Sequence, residues 1–286
     1  MNRISKKKKL NRSLGGNIIT IMFLFVLGVF MIIPLVYTVA SSIKPVEEFF
    51  IFPPKFYAIN PTADNFLDLF DIAANLRVPF PKYVYNTVFV AFAGTTTVVF
   101  ISIMGAYVLS KHDFLGKNLY NKIIVLSLLY TGNVLAVPRY LITAKLGWLD
   151  TPMAILAPVF SSTLGIFLLR QFMSTVPNAV IESARIDGAG EMRICFGIVT
   201  PAVKPAWITV VIFTFQSLWN SNGNGMIFTE SKKLLPAMLT QIISSGMSRA
   251  GAGAAGTLLM IIPPVLVFVL FQRKIIETMA NSGIKE

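Results

Sequence analysis

A chain of 286 residues that is 55% hydrophobic and only 13% charged, with a mean hydropathy of +0.69, carries more apolar surface than a soluble domain of this size can bury. One cysteine and one histidine exclude a disulfide framework and a His/Cys metal site. The net charge of +12 would suit nucleic-acid binding, but basic loops beside membrane spans account for it more simply.

The first 17 residues form a basic tail containing Lys6, Lys7, Lys8, Lys9 and Arg12. Residues 18–40 follow without a single charge, long enough for the roughly 20 apolar residues that cross about 30 Å of hydrocarbon. The run is too long for a signal-peptide core, and no small-residue cleavage site follows Pro34, so an uncleaved first helix is expected. The pattern predicts further spans at about 85–109, 123–144, 152–172, 202–219 and 257–271. The last extends backward through the small residues 251–256. The fold class is therefore all-α, a polytopic membrane protein with six transmembrane helices over 18–275, a loop at 176–201 and a C-tail at 276–286. With the N-terminus inside, the N-tail, 110–122, 170–204 and the C-terminal stretch 272–286 hold sixteen of the 25 Lys and Arg. That bias places both termini in the cytoplasm. Two long loops, about 41–83 and 220–256, then lie outside. The aromatics of the first (Phe49, Phe50, Phe52, Phe56) suit the membrane interface.

Residues 182–193 interrupt this apolar chain with Glu182, Arg185, Asp187, Glu191 and Arg193. Val176-Pro177-Asn178 ends the fourth span, and residues 179–186 favour helix. Ala184 and Gly188, four apart, offer a small face for close backbone approach. Gly188 after Asp187 suits a helix end, and Pro201 suits the first turn of the fifth span. The physics leaves two readings open: a compact element gripping a cytoplasmic partner, or an interfacial helix with self-paired charges. Cys195 reads as a packing residue and His112 as a solvated loop histidine.

Residues 182–201 resemble the cytoplasmic loop of ABC importer permeases. That family's pattern is Glu-Ala-Ala, three residues, Gly, nine residues, Ile, one residue, Leu-Pro. Glu182, Ala184, Gly188, Ile198 and Pro201 match it, while Ser183 and Thr200 depart from it conservatively. The stretches 41–45, 105–117, 137–151, 167–190 and 219–220, with Gln272-Arg273 and the tail, narrow the resemblance to the maltose-type carbohydrate branch and its smaller six-span subunit. The resemblance implies a coupling helix at 179–193, docked on an ATPase through Glu182, Ser183, Ala184, Asp187, Gly188, Ala189, Ile198 and Pro201. It implies a second homologous permease forming a heterodimer, two ATPase subunits and an extracytoplasmic sugar-binding protein facing the loop between spans five and six. The setting is the plasma membrane, with lipid around the spans and no nucleic acid. The chain has no Gly-rich Lys-Ser/Thr phosphate loop, so it is no enzyme and holds no cofactor; ATP and Mg would sit on the partner. The alternative is an importer permease for another solute class, such as peptides or polyamines.

A neutral sugar calls for aromatic and hydrogen-bonding groups inside the spans. Asn86, Tyr130, Asn133, Gln216, Trp219 and Asn220 are the pathway candidates. Arg139 could face the pathway, but a snorkelling or inter-subunit role is the preferred reading. The Thr95–Thr97 and Ser161–Thr163 runs read as helix–helix contacts.

Overall fold

The computed structural model describes residues 14–130, 134–223 and 225–282, and among these there is helix and no strand. Lipid offers backbone groups no partner, so each span must satisfy its own hydrogen bonds. Four helices are long and apolar enough to cross a membrane. They lie in α1 (Leu14–Ser42), in α3 (Phe80–Lys111), in the pair α6 (Met153–Phe160) and α7 (Thr163–Ser174), and in α12 (Ala250–Ser282). A fifth forms if α9 (Glu191–Ala202) and α10 (Lys204–Trp219), bent by 87°, count as one. Between these lie α2 (Asp64–Ala74), α4 (Lys117–Ser127), α5 (Ala136–Lys145), α8 (Asn178–Ile186) and α11 (Leu235–Ser244).

The expected span at 123–144 takes another form. It is divided between α4 and α5, with Tyr130 in the intervening turn and residues 131–133 outside the described set. Proline gives the physical reason for the restart. Pro138 has no N–H to offer a preceding turn, and it sits in the first turn of α5, where none is needed. Prolines also set the α9–α10 bend. Pro205 cannot donate to the carbonyl four residues back, and it disfavours helix at the residue before it. The chain therefore breaks at Val203 (φ −107°, ψ 32°). Pro205, not Pro201, occupies the first turn of the long helix, and Pro201 lies exposed in the last turn of α9.

Helix α3 is the central post, packed along α10 and α7. Gly94 allows that approach: a Cβ there would stand 2.4 Å from Leu218 Cδ1 and 2.9 Å from Leu156 Cδ2. At one end of α3, Tyr83, Val90 and Ala91 join Leu218, Trp219, Met238 and Ala255 in an apolar core. The other end brings Val98, Ala106 and Tyr107 together with Leu169, Met173, Ile181, Ile194 and Val199. Gly253 and Gly256 let α12 close on Ile243 and Leu239 of α11. Helix α1 stands outside this body; its membrane-length window is unburied, and its main neighbour is α12.

Candidate functional site

The charged stretch folds as an elbow at the Tyr107 end of α3. Pro177, extended at φ −62° and ψ 135°, turns the chain out of α7 and starts α8. Helix α8 has two faces. Ile181 and Ala184 are buried against Leu169 and Met173. Glu182, Ser183 and Asp187 are exposed, as is Ile186, which leaves 86% of its surface open. An apolar side chain so exposed beside two unpaired acids is costly on a monomer and expected on a docking surface.

The turn is closed by backbone geometry. Ala189 N–H donates to Ala184 O (2.9 Å) and Gly188 N–H to Arg185 O (3.0 Å), the Schellman pattern at a helix end. It requires a left-handed residue after Asp187, and Gly188 supplies it at φ +80°. Gly190 then starts α9 in extended geometry. A π-turn at Cys195–Val199 follows, in which Val199 is buried and Ile198 half-buried. Cys195 is buried in the core around it.

Glu191 holds the elbow to the body. One of its oxygens accepts from Arg185 Nε at 2.8 Å. The other accepts from Tyr107 Oη at 2.6 Å and lies 3.2 Å from His112 Nε2. Lys111, at the end of α3, donates to the carbonyl of Val176 and to Asn178 Oδ1, gripping the α7–α8 junction. Any push on α8 therefore reaches α3 through Glu191 and Lys111. No local spacing points to these contacts, and His112, expected as a solvated loop histidine, lies against Glu191.

At the opposite end of α3 the pathway candidates separate. Asn86 donates its amide to the carbonyls of Ser231 (2.9 Å) and Lys233 (3.0 Å), tying down the loop after α10. Trp219 is buried, and its Nε1–H donates to Met260 O (3.0 Å). Gln216 is half-buried on α10, Tyr130 is exposed, and Asn133 lies outside the described residues. Asn220 lines a cavity of about 400 Å³, between α5, α6 and the end of α10, and Asn86 lines a separate one of about 360 Å³ beside Ile227 and Lys232. Ser217, Ser221, Asn222 and Arg139 share the cavity of Asn220, facing apolar side chains of α6. Arg139 also borders a neighbouring cavity of about 320 Å³ beside Trp148.

Asp150 fixes the loop that follows α10. Its carboxylate accepts from Phe228 N (2.9 Å), Thr229 N (2.8 Å), Thr229 Oγ1 (2.6 Å) and Lys232 Nζ (3.0 Å). The Thr229 hydroxyl and N–H, with Lys232 and Phe228, hold the Asp150 carboxyl far below the usual carboxylate range, against the opposing effect of burial.

Residues 72–280 match the family model described as "Binding-protein-dependent transport system inner membrane component". The chain is 28% identical to an inner membrane ABC transporter permease protein of Escherichia coli, YcjP, over 91% of this chain and 94% of that one. It is 29% identical to the polygalacturonan/rhamnogalacturonan transport system permease protein YtcP of Bacillus subtilis, over 88% and 91%. A crystal structure of a bacterial ABC transporter involved in import of the acidic polysaccharide alginate shares the fold. Its TM-score is 0.74 at 22% identity, covering 93% of this chain and 99% of that chain.

Proposed function

The chain belongs to the family of binding-protein-dependent transport system inner membrane components, and on that premise we propose that it is the permease subunit of an ATP-driven importer for a carbohydrate. The carbohydrate class is supported by relatives named for polygalacturonan/rhamnogalacturonan and arabinooligosaccharide transport. In this reading the chain crosses the membrane six times, α4 and α5 together supplying the span that the four long helices and the bent pair leave out. Both termini are cytoplasmic. A second homologous permease completes the pore, two ATPase subunits supply the energy, and an extracytoplasmic binding protein delivers the sugar.

Helix α8 is the coupling helix. The observation that carries this role is its division into a buried face (Ile181, Ala184) and an open face (Glu182, Ser183, Ile186, Asp187) at the end of a rigid turn. Glu182 offers a carboxylate to the ATPase groove, and Ile186 supplies the apolar anchor beside it. Gly188 and Ala189 set the angle of the elbow, while Ile198 and Pro201 carry its motion toward α10. Asn220 and the cavity it lines belong to the sugar path. Asn86 and Trp219 keep the pathway's walls in register, and Gln216, Tyr130 and Asn133 remain candidates for its lining.

Co-purification from native membranes tests this. The wild-type chain should bring down a homologous permease and an ATPase. Glu182→Ala and Gly188→Trp should lose the ATPase and keep the permease. Wild-type protein that emerges alone, or variants that retain the ATPase fully, would sink the assignment.

A further inference from the structure

We propose that Arg139 selects anionic saccharides in the pathway, so that the importer's substrate class is uronate-bearing or otherwise acidic; this deepens the importer reading above and rests on it. Arg139 is the one charged side chain on the 400 Å³ cavity, where it is half-buried. None of the ion pairs among the described residues includes it. Asp150, the acid nearest in sequence, is occupied by Thr229, Phe228 and Lys232. A guanidinium cannot shed its charge at any physiological pH. Holding one beside the apolar wall of α6 with no carboxylate among the described residues to answer it is unfavourable.

The rest of the cavity explains what would answer it. Ser217, Asn220 and Ser221 line it with neutral groups suited to sugar hydroxyls. A carboxylate on the same sugar would meet the guanidinium fork through two parallel N–H···O bonds, roughly twice as strong as neutral ones. A neutral hexose gains only the hydroxyl contacts, so the arginine adds nothing for it and stays unanswered. The arrangement discriminates by charge while the serines and asparagine read the ring.

The test uses the whole importer, with its ATPase and binding protein, in proteoliposomes. The probes are trigalacturonate and its fully methyl-esterified form, equal in length and ring hydroxyls and different in charge. Uptake and saccharide-stimulated ATP hydrolysis are measured for wild type, Arg139→Gln and Arg139→Lys. The binding protein is common to all three, so a difference between them belongs to the permease. We expect Arg139→Gln to lower uptake of the acid by about tenfold or more and to leave the ester within about twofold. Arg139→Lys should fall between, keeping the charge without the fork. Equal loss on both probes would make Arg139 a structural or inter-subunit residue and overturn the proposal. So would unchanged uptake of the acid, or a wild type that moves the ester and not the acid. If neither probe is moved or stimulates hydrolysis in the wild type, the acidic-saccharide proposal falls, while the importer reading stands or falls on the co-purification above.

Discussion

Removing the Tyr107–Glu191 hydrogen bond should loosen the elbow by an amount the structure allows to be bounded. Tyr107 is only 4% exposed and its hydroxyl meets a carboxylate at 2.6 Å. A hydrogen bond to a charged group contributes about 1.5–3 kcal/mol, and an orphaned buried hydroxyl costs a similar amount. The Arg185 contact to the same carboxylate is largely exposed and adds little. Tyr107→Phe and Glu191→Ala should each destabilise α8–α9 relative to the body while leaving the membrane helices assembled. Hydrogen exchange reads this locally. The amides of Ala189 and Ile194, bonded to Ala184 and Gly190, should exchange about 10- to 150-fold faster in either variant. The double variant should be no faster than the worse single one, because both remove the same bond. Arg185→Gln should change exchange far less. Unchanged protection in both single variants, or effects that simply add, would refute the claim that this bond holds the elbow.

Gly188→Ala places a side chain at φ +80° with open space around it, so the cost is backbone strain alone, about 1–2 kcal/mol. ATP-coupled uptake should drop while membrane insertion stays normal, and Gly190→Ala, at φ −68°, should do much less. Gly94→Val should drive a methyl into Leu218 and destabilise the α3–α10 contact by about 1–3 kcal/mol. Leu218→Ala in the same chain should restore part of the loss in a thermal-unfolding assay. The folded Asp150 carboxyl titrates below its unfolded value, held there first by the Thr229 hydroxyl. Its stabilisation is therefore complete above about pH 4 and fades as pH falls toward the depressed folded value. Exchange at Phe228 and Thr229 should stay flat from about pH 8 to 5, after correction for intrinsic rates, and rise below about pH 4. Asp150→Asn should abolish that dependence.

The long helices were legible because uninterrupted apolar runs leave few alternatives to a span, as in α1, α3 and α12. The elbow was legible because Pro177 and Gly188 act locally: one ends a helix and the other permits the left-handed turn after α8. Contacts between distant segments were not. Tyr107 and Glu191 lie 84 residues apart, and Asp150 and Thr229 lie 79 apart. No local spacing announces such pairs. The partners of the polar residues inside the spans were hidden for the same reason. Asn86 and Trp219 look like ligand groups until the Ser231, Lys233 and Met260 carbonyls appear beside them. The end of α4 at Ser127 and the start of α5 at Ala136 were hidden because hydropathy registers an apolar segment and not where its helices end. Arg139 showed the opposite case. Its charge was visible, but only the fold put it beside Asn220.

Helix α1 has a consequence in time. It leaves the ribosome well before its main neighbour, α12. Translation at about 5–20 residues per second leaves roughly 10–40 seconds between their appearances. Through that interval α1 has only lipid, another subunit and the short stretch around Phe56 and Asn65 to lean on. It must be stable in the bilayer by its own uncharged sequence before its neighbour in this chain exists. A charge introduced along α1 would then act on biogenesis and not on transport. The defect would appear as chains degraded young, while the survivors work at full rate.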